Sequence, residues 1–198
     1  MTVFISMFIF ALIGAISPGP VNIIATSTGA NFGFIRALPH VSGATVSYTV
    51  IVFLMGIGLN QVLSSVPEIT QVLQYLGAGF LLYMSYKIAT SGHDINTFMQ
   101  TAAPTFIEGA LSQGLNPKAW LVSMSGVSLF VATNTPPMWY LLAFCLISFT
   151  VCFASVATWA ALGTMIANFL STKTRQVSFN VCMGLLLSSS VISIFTNA

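Results

Sequence analysis

Two short proline motifs interrupt apolar runs of the sequence. The motifs are Ser17-Pro18-Gly19-Pro20 and Asn116-Pro117-Lys118. Because proline lacks a backbone N–H and clashes with the carbonyl four residues earlier, each motif is expected to break a helix and to free backbone carbonyls. Such groups are tolerated at membrane depth only where protein or a wet cavity satisfies them. The two motifs therefore mark candidate binding positions.

The groups around the two breaks are matched to a zwitterion. Helices that start after Pro20 and Pro117 present free N–H groups and a positive dipole end, which suit a carboxylate, and Lys118 adds a full positive charge. The freed carbonyls and the neighbouring polar side chains can accept hydrogen bonds from an ammonium group, so a small amino acid is the obvious ligand. The candidate substrate-binding residues are Gly14, Ser17, Pro18, Gly19, Pro20, Asn22, Gln113, Asn116, Pro117 and Lys118, with the freed carbonyls expected at Gly14, Ile16 and Gln113.

Two charged residues share the later apolar run. Lys118 is expected ~18 Å into a hydrocarbon layer of ~30 Å. A lysine there costs about 2.5–3.5 kcal/mol on insertion scales and needs a partner, a cavity or a ligand, unless it snorkels to the interface. Glu108 is a candidate for proton coupling or for pairing with a cation, and an interfacial carboxylate is the alternative.

The composition defines the elements that must position these residues. The chain has 198 residues, of which 56% are hydrophobic and 4% charged, and its mean hydropathy is +0.94. A soluble domain carries about 25% charged residues, so the sequence predicts an integral membrane protein in a lipid bilayer. A net charge of +2 is too small for the basic patch that binds nucleic acid, so no nucleic-acid partner is expected. No cofactor is predicted either.

Long apolar runs without alternation predict helices rather than strands. The fold class is therefore an all-α integral membrane protein with six transmembrane helices in a single domain, 1–198. The fifth run is longer than the membrane requires and is expected to tilt or to extend beyond it. The predicted spans lie near 3–28, 40–62, 68–89, 106–133, 138–168 and 174–196.

The two breaks occupy corresponding places in the two halves of the chain. Pro18 and Pro117 are half the chain length apart, and Pro39 and Pro137 open the second and fifth spans at nearly the same offset. Three spans in each half imply inverted repeats, near 1–90 and 105–198, with a polar connector near 91–104. Matching broken helices in inverted repeats point to a transporter's binding site, whereas kinks made only for packing are the alternative.

The few cations set the expected orientation. The first, third and fifth loops hold Arg36, Lys87, Lys173 and Arg175. The positive-inside rule places these loops in the cytoplasm, so both termini are predicted to face the periplasm or the exterior. His40, beside Pro39, is expected at the interface. His93 and Asp94 are expected in a solvated loop.

Small residues spaced by four predict close helix packing. Such packing serves either the bundle of one chain or a homodimer. The pairs are Gly29 with Gly33, Gly43 with Ser47, and Ala154 with Thr158.

At these residues the chain resembles the lysine exporter (LysE/RhtB) family of bacterial inner-membrane amino-acid exporters. The resemblance rests on the Ser-Pro-Gly-Pro and Asn-Pro-Lys motifs and on Gly33 and Arg36 leading to Gly43. It implies export of amino acids or close metabolites, driven by the proton motive force. Many members carry an acidic residue after these glycines, but here Ala44 to Tyr48 has none. That departure favours a small neutral substrate, such as the family's cysteine, O-acetylserine, threonine or homoserine.

Three other classes of protein compete with this interpretation. A heavy-metal exporter would use thiolates, and Cys145, Cys152 and Cys182 lie in apolar runs. An intramembrane enzyme would need a nucleophile with a base or a His/Asp metal site, and no predicted span contains an Asp, so no enzymatic activity or metal site is expected. A membrane scaffold without transport activity predicts that Lys118→Ala has no effect.

Overall fold

The computed structural model describes residues 2–58, 67–90, 102–170 and 172–196. This part of the chain forms eight helices and contains no strand. The helices are α1 Thr2–Ile16, α2 Pro20–Phe32, α3 Phe34–Gly56, α4 Pro67–Ala89, α5 Phe106–Gly114, α6 Pro117–Phe130, α7 Pro137–Ala167 and α8 Lys173–Thr196. Residues 91–101 of the predicted connector, with His93 and Asp94, lie outside the described residues.

The outer surface of the helices fits a lipid environment. Helices α3 and α7 are each long and apolar enough to cross a membrane, and α1 with α2 passes the same test as one span bent by 62°. Large apolar side chains point outward, with Ile35 74% and Phe169 75% exposed. Soluble proteins rarely expose extended apolar surfaces. The chain is therefore a membrane protein, and α7, with 31 residues, has the excess length that the sequence predicts.

Both predicted helix breaks are present. Helix α1 ends at Ile16 and α2 begins at Pro20, whereas α5 ends at Gly114 and α6 begins at Pro117. A proline in the first position of a helix is favourable, because the N–H that it lacks would have no partner there and its φ angle already suits the helix. The same rule explains why α7 begins at Pro137, as predicted.

The prediction that the second span opens at Pro39 is wrong. Gly33, with a φ of +83°, ends α2 and lets the chain turn directly into α3 at Phe34. Pro39 therefore lies inside α3, where it removes only the hydrogen bond to the carbonyl of Ile35. Arg36 consequently belongs to the first turn of a helix rather than to a loop.

In two helix pairs, α2 with α7 and α3 with α5, glycines of each helix pack directly against the backbone of the other helix. A Cβ atom on any of these four glycines would overlap backbone atoms of the facing helix. The contacts are Gly29 with Ala160, Gly163 with Thr26, Gly43 with Phe106, and Gly109 with His40.

The prediction of close packing is confirmed for one glycine in each of two small-residue pairs, and within the bundle it is wrong for the third pair. Gly29 and Gly43 make the expected contacts, but a Cβ on Gly33 would meet nothing within 4 Å. Ala154 and Thr158 are exposed on α7 and do not pack inside the bundle.

The long helices α3 and α7 contact each other and carry the broken helices. Helices α1 and α2 pack mainly on α7, and α5 and α6 pack mainly on α3. Helix α4 pairs with α8. The two breaks therefore meet between α3 and α7.

Candidate functional site

The first break is held together by the side chain of Asn22. Its Nδ2 atom donates hydrogen bonds to the carbonyl of Ala15, at 2.9 Å, and to that of Ser17, at 3.0 Å. Asn22 itself is only 5% exposed. One buried amide therefore satisfies two of the carbonyls that the helix end leaves without intrahelical partners.

The sequence predicts that the prolines free three carbonyls for a ligand, and a carbonyl that accepts one hydrogen bond keeps a second lone pair. All three already accept hydrogen bonds from the protein, as buried backbone groups must. The carbonyl of Gly14 accepts from the Ser17 hydroxyl at 3.1 Å, that of Ile16 from the Trp159 indole at 3.3 Å, and that of Gln113 from the N–H of Asn116 at 3.1 Å.

The second break is closed by residues next to it in the sequence. Asn116 caps α6, because its side-chain oxygen accepts from the N–H of Lys118 at 3.1 Å. Its Nδ2 donates to the Gln113 side chain at 3.2 Å, and the Trp120 indole donates to the carbonyl of Gly114 at 2.7 Å. The N-terminus of α6 is therefore not as free for a carboxylate as predicted, whereas α2 has no side-chain cap at Gly19.

Lys118 joins the two breaks. Its Nζ atom donates to the carbonyl of Ser17 at 2.9 Å and to the Ser17 hydroxyl at 2.6 Å. The side chain thus reaches across to the first break rather than snorkelling outward. The described residues form one ion pair, between Lys87 and Glu108. Lys118 therefore has no carboxylate partner in this part of the chain. The hydrogen-bond partners of its charged group in the described part of the chain are a carbonyl and a hydroxyl of Ser17.

A cavity of about 40 Å³ lies beside this bridge. That volume holds roughly three water molecules. Its wall comes from both breaks and from α3 and α7. The lining residues are Gly14, Ala15, Gly19, Val21, Asn22, Tyr48, Gln113, Asn116, Lys118, Ala119, Val122, Cys152 and Val156.

The structure brings most of the predicted site residues to this cavity. Those in its wall are Gly14, Gly19, Asn22, Gln113, Asn116 and Lys118. Ser17 takes part through its hydrogen bonds to Lys118. Pro18 is exposed and does not line the cavity. Pro20 and Pro117 begin the half-helices but are not part of the wall either.

Sequence reasoning missed the cavity wall that α3 and α7 provide. Tyr48 comes from α3, and Cys152 and Val156 come from α7. No motif marks these residues, since an aromatic, a thiol and a valine in apolar runs are typical of any helix core. The one available signal is the place of Tyr48 on the helix that carries Gly43, five positions after it.

The hydrogen bonds already made show which polar groups remain for a ligand. An ammonium group has three N–H donors, and Lys118 uses two of them on Ser17. Asn22 uses its Nδ2 donors, which leaves its Oδ1 as an acceptor. Gln113 accepts through Oε1, which leaves its Nε2 as a donor. The residues that line the cavity thus offer both donors and an acceptor to a ligand.

Glu108 lies away from this cavity in the first turn of α5. Its Oε1 accepts from Lys87 of α4 at 2.6 Å, and its Oε2 accepts from the backbone N–H of Thr105 at 2.8 Å. With the reciprocal bond to the Thr105 hydroxyl, these contacts form a capping box. The structure therefore pairs Glu108 with Lys87 and not with Lys118.

The three cysteines do not form a common site. Cys145 and Cys152 are buried on α7, but Cys182 is exposed on α8. Over the described ranges, no three His, Cys, Asp or Glu side chains come close enough to share a metal ion. The thiolate cluster that a heavy-metal exporter would use is thus not found in this part of the chain.

A membrane protein with a cavity between two broken helices, lined in part by polar side chains, has the architecture of a transporter. The chain belongs to the LysE type translocator family, whose model matches residues 12–192. It is accordingly a transporter and not an enzyme.

Curated relatives match the chain along nearly its full length. The cysteine/O-acetylserine efflux proteins of Escherichia coli O1:K1 / APEC and of Escherichia coli O157:H7 are each 28% identical to it over 196 residues, 98% of both chains. The protein of the same name from Escherichia coli strain K12 is 27% identical over the same share. No solved structure matches the chain.

Proposed function

We propose that this protein exports small, neutral amino acids or their derivatives across a bacterial inner membrane. The observation that carries the proposal is the Lys118 bridge to Ser17 at the wall of a cavity between two broken helices. The names of the relatives, cysteine/O-acetylserine efflux proteins, support the same substrate class. Residues 1–198 form one transmembrane domain in this proposal.

The polar groups of the cavity match the two ends of an amino acid. The substrate carboxylate binds the third N–H of Lys118 and the amide of Gln113, because a charge-assisted hydrogen bond is stronger than a neutral one. The substrate ammonium group binds the Oδ1 atom of Asn22. The side chain of the substrate then faces Tyr48 and Cys152. Among the described residues that line the cavity, Lys118 has the one charged side chain, so a second charge on the substrate would find no counter-ion among them.

Alternating access between two inverted repeats is the proposed mechanism, with six spans, repeats near 1–90 and 105–198 and a connector near 91–104. Reciprocal packing supports it: the broken helices of each half lie on the long helix of the other half. Rocking of one half against the other would open the cavity to each side in turn. Both termini face the periplasm in this arrangement.

The proton motive force is the proposed driving force. Glu108 is a candidate for proton coupling, because its side chain is the one carboxylate that the structure describes. Protonation of Glu108 would remove the ionic part of its contact with Lys87 and so loosen α5 from α4. A homodimer is also part of the proposal, through the exposed small residues Ala154 and Thr158 on α7.

Efflux from preloaded cells tests the function directly. Cells expressing the wild type are expected to lose one neutral amino acid faster than empty cells in a panel that includes cysteine and O-acetylserine. Lys118→Met keeps the length of the side chain but removes its charge, and it should return efflux to the level of empty cells. The exposed Lys173→Met is the matched control and should transport normally.

The same experiment can contradict the proposal in two ways. Efflux by Lys118→Met at the wild-type rate, at equal amounts of inserted protein, would show that Lys118 does not bind the carboxylate. No faster loss of any amino acid would reject the substrate class. Cadmium and zinc tolerance lost in a Cys145→Ser, Cys152→Ser double variant would then favour metal export.

A further inference from the structure

His40 is wholly buried, contrary to the prediction that it lies at the membrane interface. Helix α3 begins at Phe34, so the residues just before His40 are already helical. His40 is therefore buried inside the bundle. Its Nε2 atom lies 3.4 Å from the carbonyl oxygen of Val21. Its Nδ1 atom has no hydrogen-bond partner. Val21 lines the cavity, so the His40 ring contacts a residue of the cavity wall.

An unpaired buried nitrogen has a cost that an apolar side chain would avoid. Leaving a buried polar atom without a partner costs about 1–3 kcal/mol. The backbone beside the ring gives no acceptor to the Nδ1 atom, although α5 approaches so closely that Gly109 meets the backbone of His40. When Nε2 carries the hydrogen and donates it to Val21, Nδ1 keeps a free lone pair. That atom is where a proton can be added.

The charges around His40 are few. Helix α2, which packs on α3, has no ionisable side chain. The ionisable side chains on the other helices packed against α3 are Glu108 of α5, Lys118 of α6, and Tyr140, Cys145 and Cys152 of α7, with Arg36 and Tyr48 on α3 itself. Glu108 is the acidic side chain among them, and it adjoins Gly109, which packs against the backbone of His40. A positive ring would find its counter-charge there.

We infer that His40 carries the proton that is coupled to transport, with Glu108 as its counter-charge. The inference rests on the proposed function, which it deepens by assigning the coupling group. Histidine is the side chain whose ordinary titration falls between about pH 5 and 8. Helix α3 contains no Asp or Glu, so His40 is its candidate proton carrier.

The coupling follows from the packing of α3 against α5. In the structure the neutral ring fits, since it needs one acceptor, the carbonyl of Val21. A proton added at Nδ1 makes both ring nitrogens donors, and the closed packing gives the second donor no acceptor. Protonation therefore favours a state in which α3 and α5 move apart and the ring reaches water or Glu108. A proton bound from one side and released to the other thus drives the change between the two states.

Purified full-length protein in liposomes separates coupling from substrate movement. Counterflow of labelled O-acetylserine needs only the substrate site, whereas uptake driven by an acidic interior also needs the proton site. His40→Gln retains an N–H that can donate to Val21 but cannot bind a proton. We expect this variant to keep counterflow while its gradient-driven uptake falls by about tenfold or more. The dependence of uptake on pH, present in the wild type, should disappear.

Each other result has a distinct meaning. Driven uptake by His40→Gln at the wild-type level overturns the inference and leaves the proposed function intact. Loss of counterflow as well as driven uptake, in both His40→Gln and His40→Asn, would show a structural role and also overturn it. Wild-type protein without counterflow of O-acetylserine, or of any amino acid in the panel, rejects the proposed function itself.

Glu108→Gln is the matched comparison. If His40 carries the proton, this variant keeps driven uptake but its pH profile moves toward lower pH, because the protonated ring loses its counter-charge. Loss of driven uptake in Glu108→Gln together with full retention in His40→Gln would assign the proton to Glu108 instead.

Discussion

The two helix breaks arise from the same chemistry but are completed in different ways. The second break depends on neighbours in the sequence, since Asn116 caps α6 and Trp120 bonds back to Gly114. The first break has the local bonds of Asn22 but also depends on distant helices, because Lys118 and Trp159 donate to its carbonyls from α6 and α7. The chain bends by 62° there, and α2 has no side-chain cap.

This difference separates a fixed part of the site from a part that can change. A break closed by adjacent residues keeps its hydrogen bonds whatever the other helices do. The bonds that Lys118 and Trp159 donate to the first break last only while the halves of the molecule are in this arrangement. We therefore expect the first break to rearrange when the protein changes state or binds substrate, with the second break as the rigid reference.

Asn22→Ala is expected to have the largest effect on this comparison. It removes both hydrogen bonds that Asn22 makes to Ala15 and Ser17, at about 1 kcal/mol each, so the protein should lose about 2 kcal/mol of stability. Amide hydrogen exchange should speed up around the first break and stay unchanged around the second. Equal changes at both breaks would show that they are not independent.

Asn116→Ala should have a smaller and more local effect. Loss of a helix N-cap costs about 1 kcal/mol, and Asn116→Ser should restore most of it because serine also caps well. Thermal unfolding of the purified protein in detergent measures both variants. Failure of Ser to rescue the loss would mean that the bond from Asn116 to Gln113, and not the cap, is what matters.

The two indole bonds give the finest test of the comparison. Trp120→Phe removes a 2.7 Å bond at the second break, and Trp159→Phe removes a 3.3 Å bond at the first. We expect losses of about 1 kcal/mol and less than about 0.5 kcal/mol respectively, because the longer bond is weaker. A larger loss for Trp159→Phe in the same unfolding assay would show that the first break is the more tightly held.

Much of the fold follows from composition and proline chemistry. The all-helical membrane class, the two breaks and the length of α7 were predicted because each depends on local covalent properties or on the length of an apolar run. The start of α3 was not predicted, since the helix begins at Phe34, directly after Gly33, and not near Pro39. The burial of His40 was missed for the same reason.

The sequence by itself determined where the helices break and which charged residue lies at a break, because a proline acts on its own backbone and Lys118 adjoins one. Only the tertiary structure decided what Lys118 contacts, which carbonyls remain available, and that Tyr48 and Cys152 complete the cavity wall. Those outcomes depend on how helices about 100 residues apart in sequence pack on one another. Close packing at Gly29 and Gly43 fixes that arrangement, and no local pattern in the sequence specifies which backbone each glycine will meet.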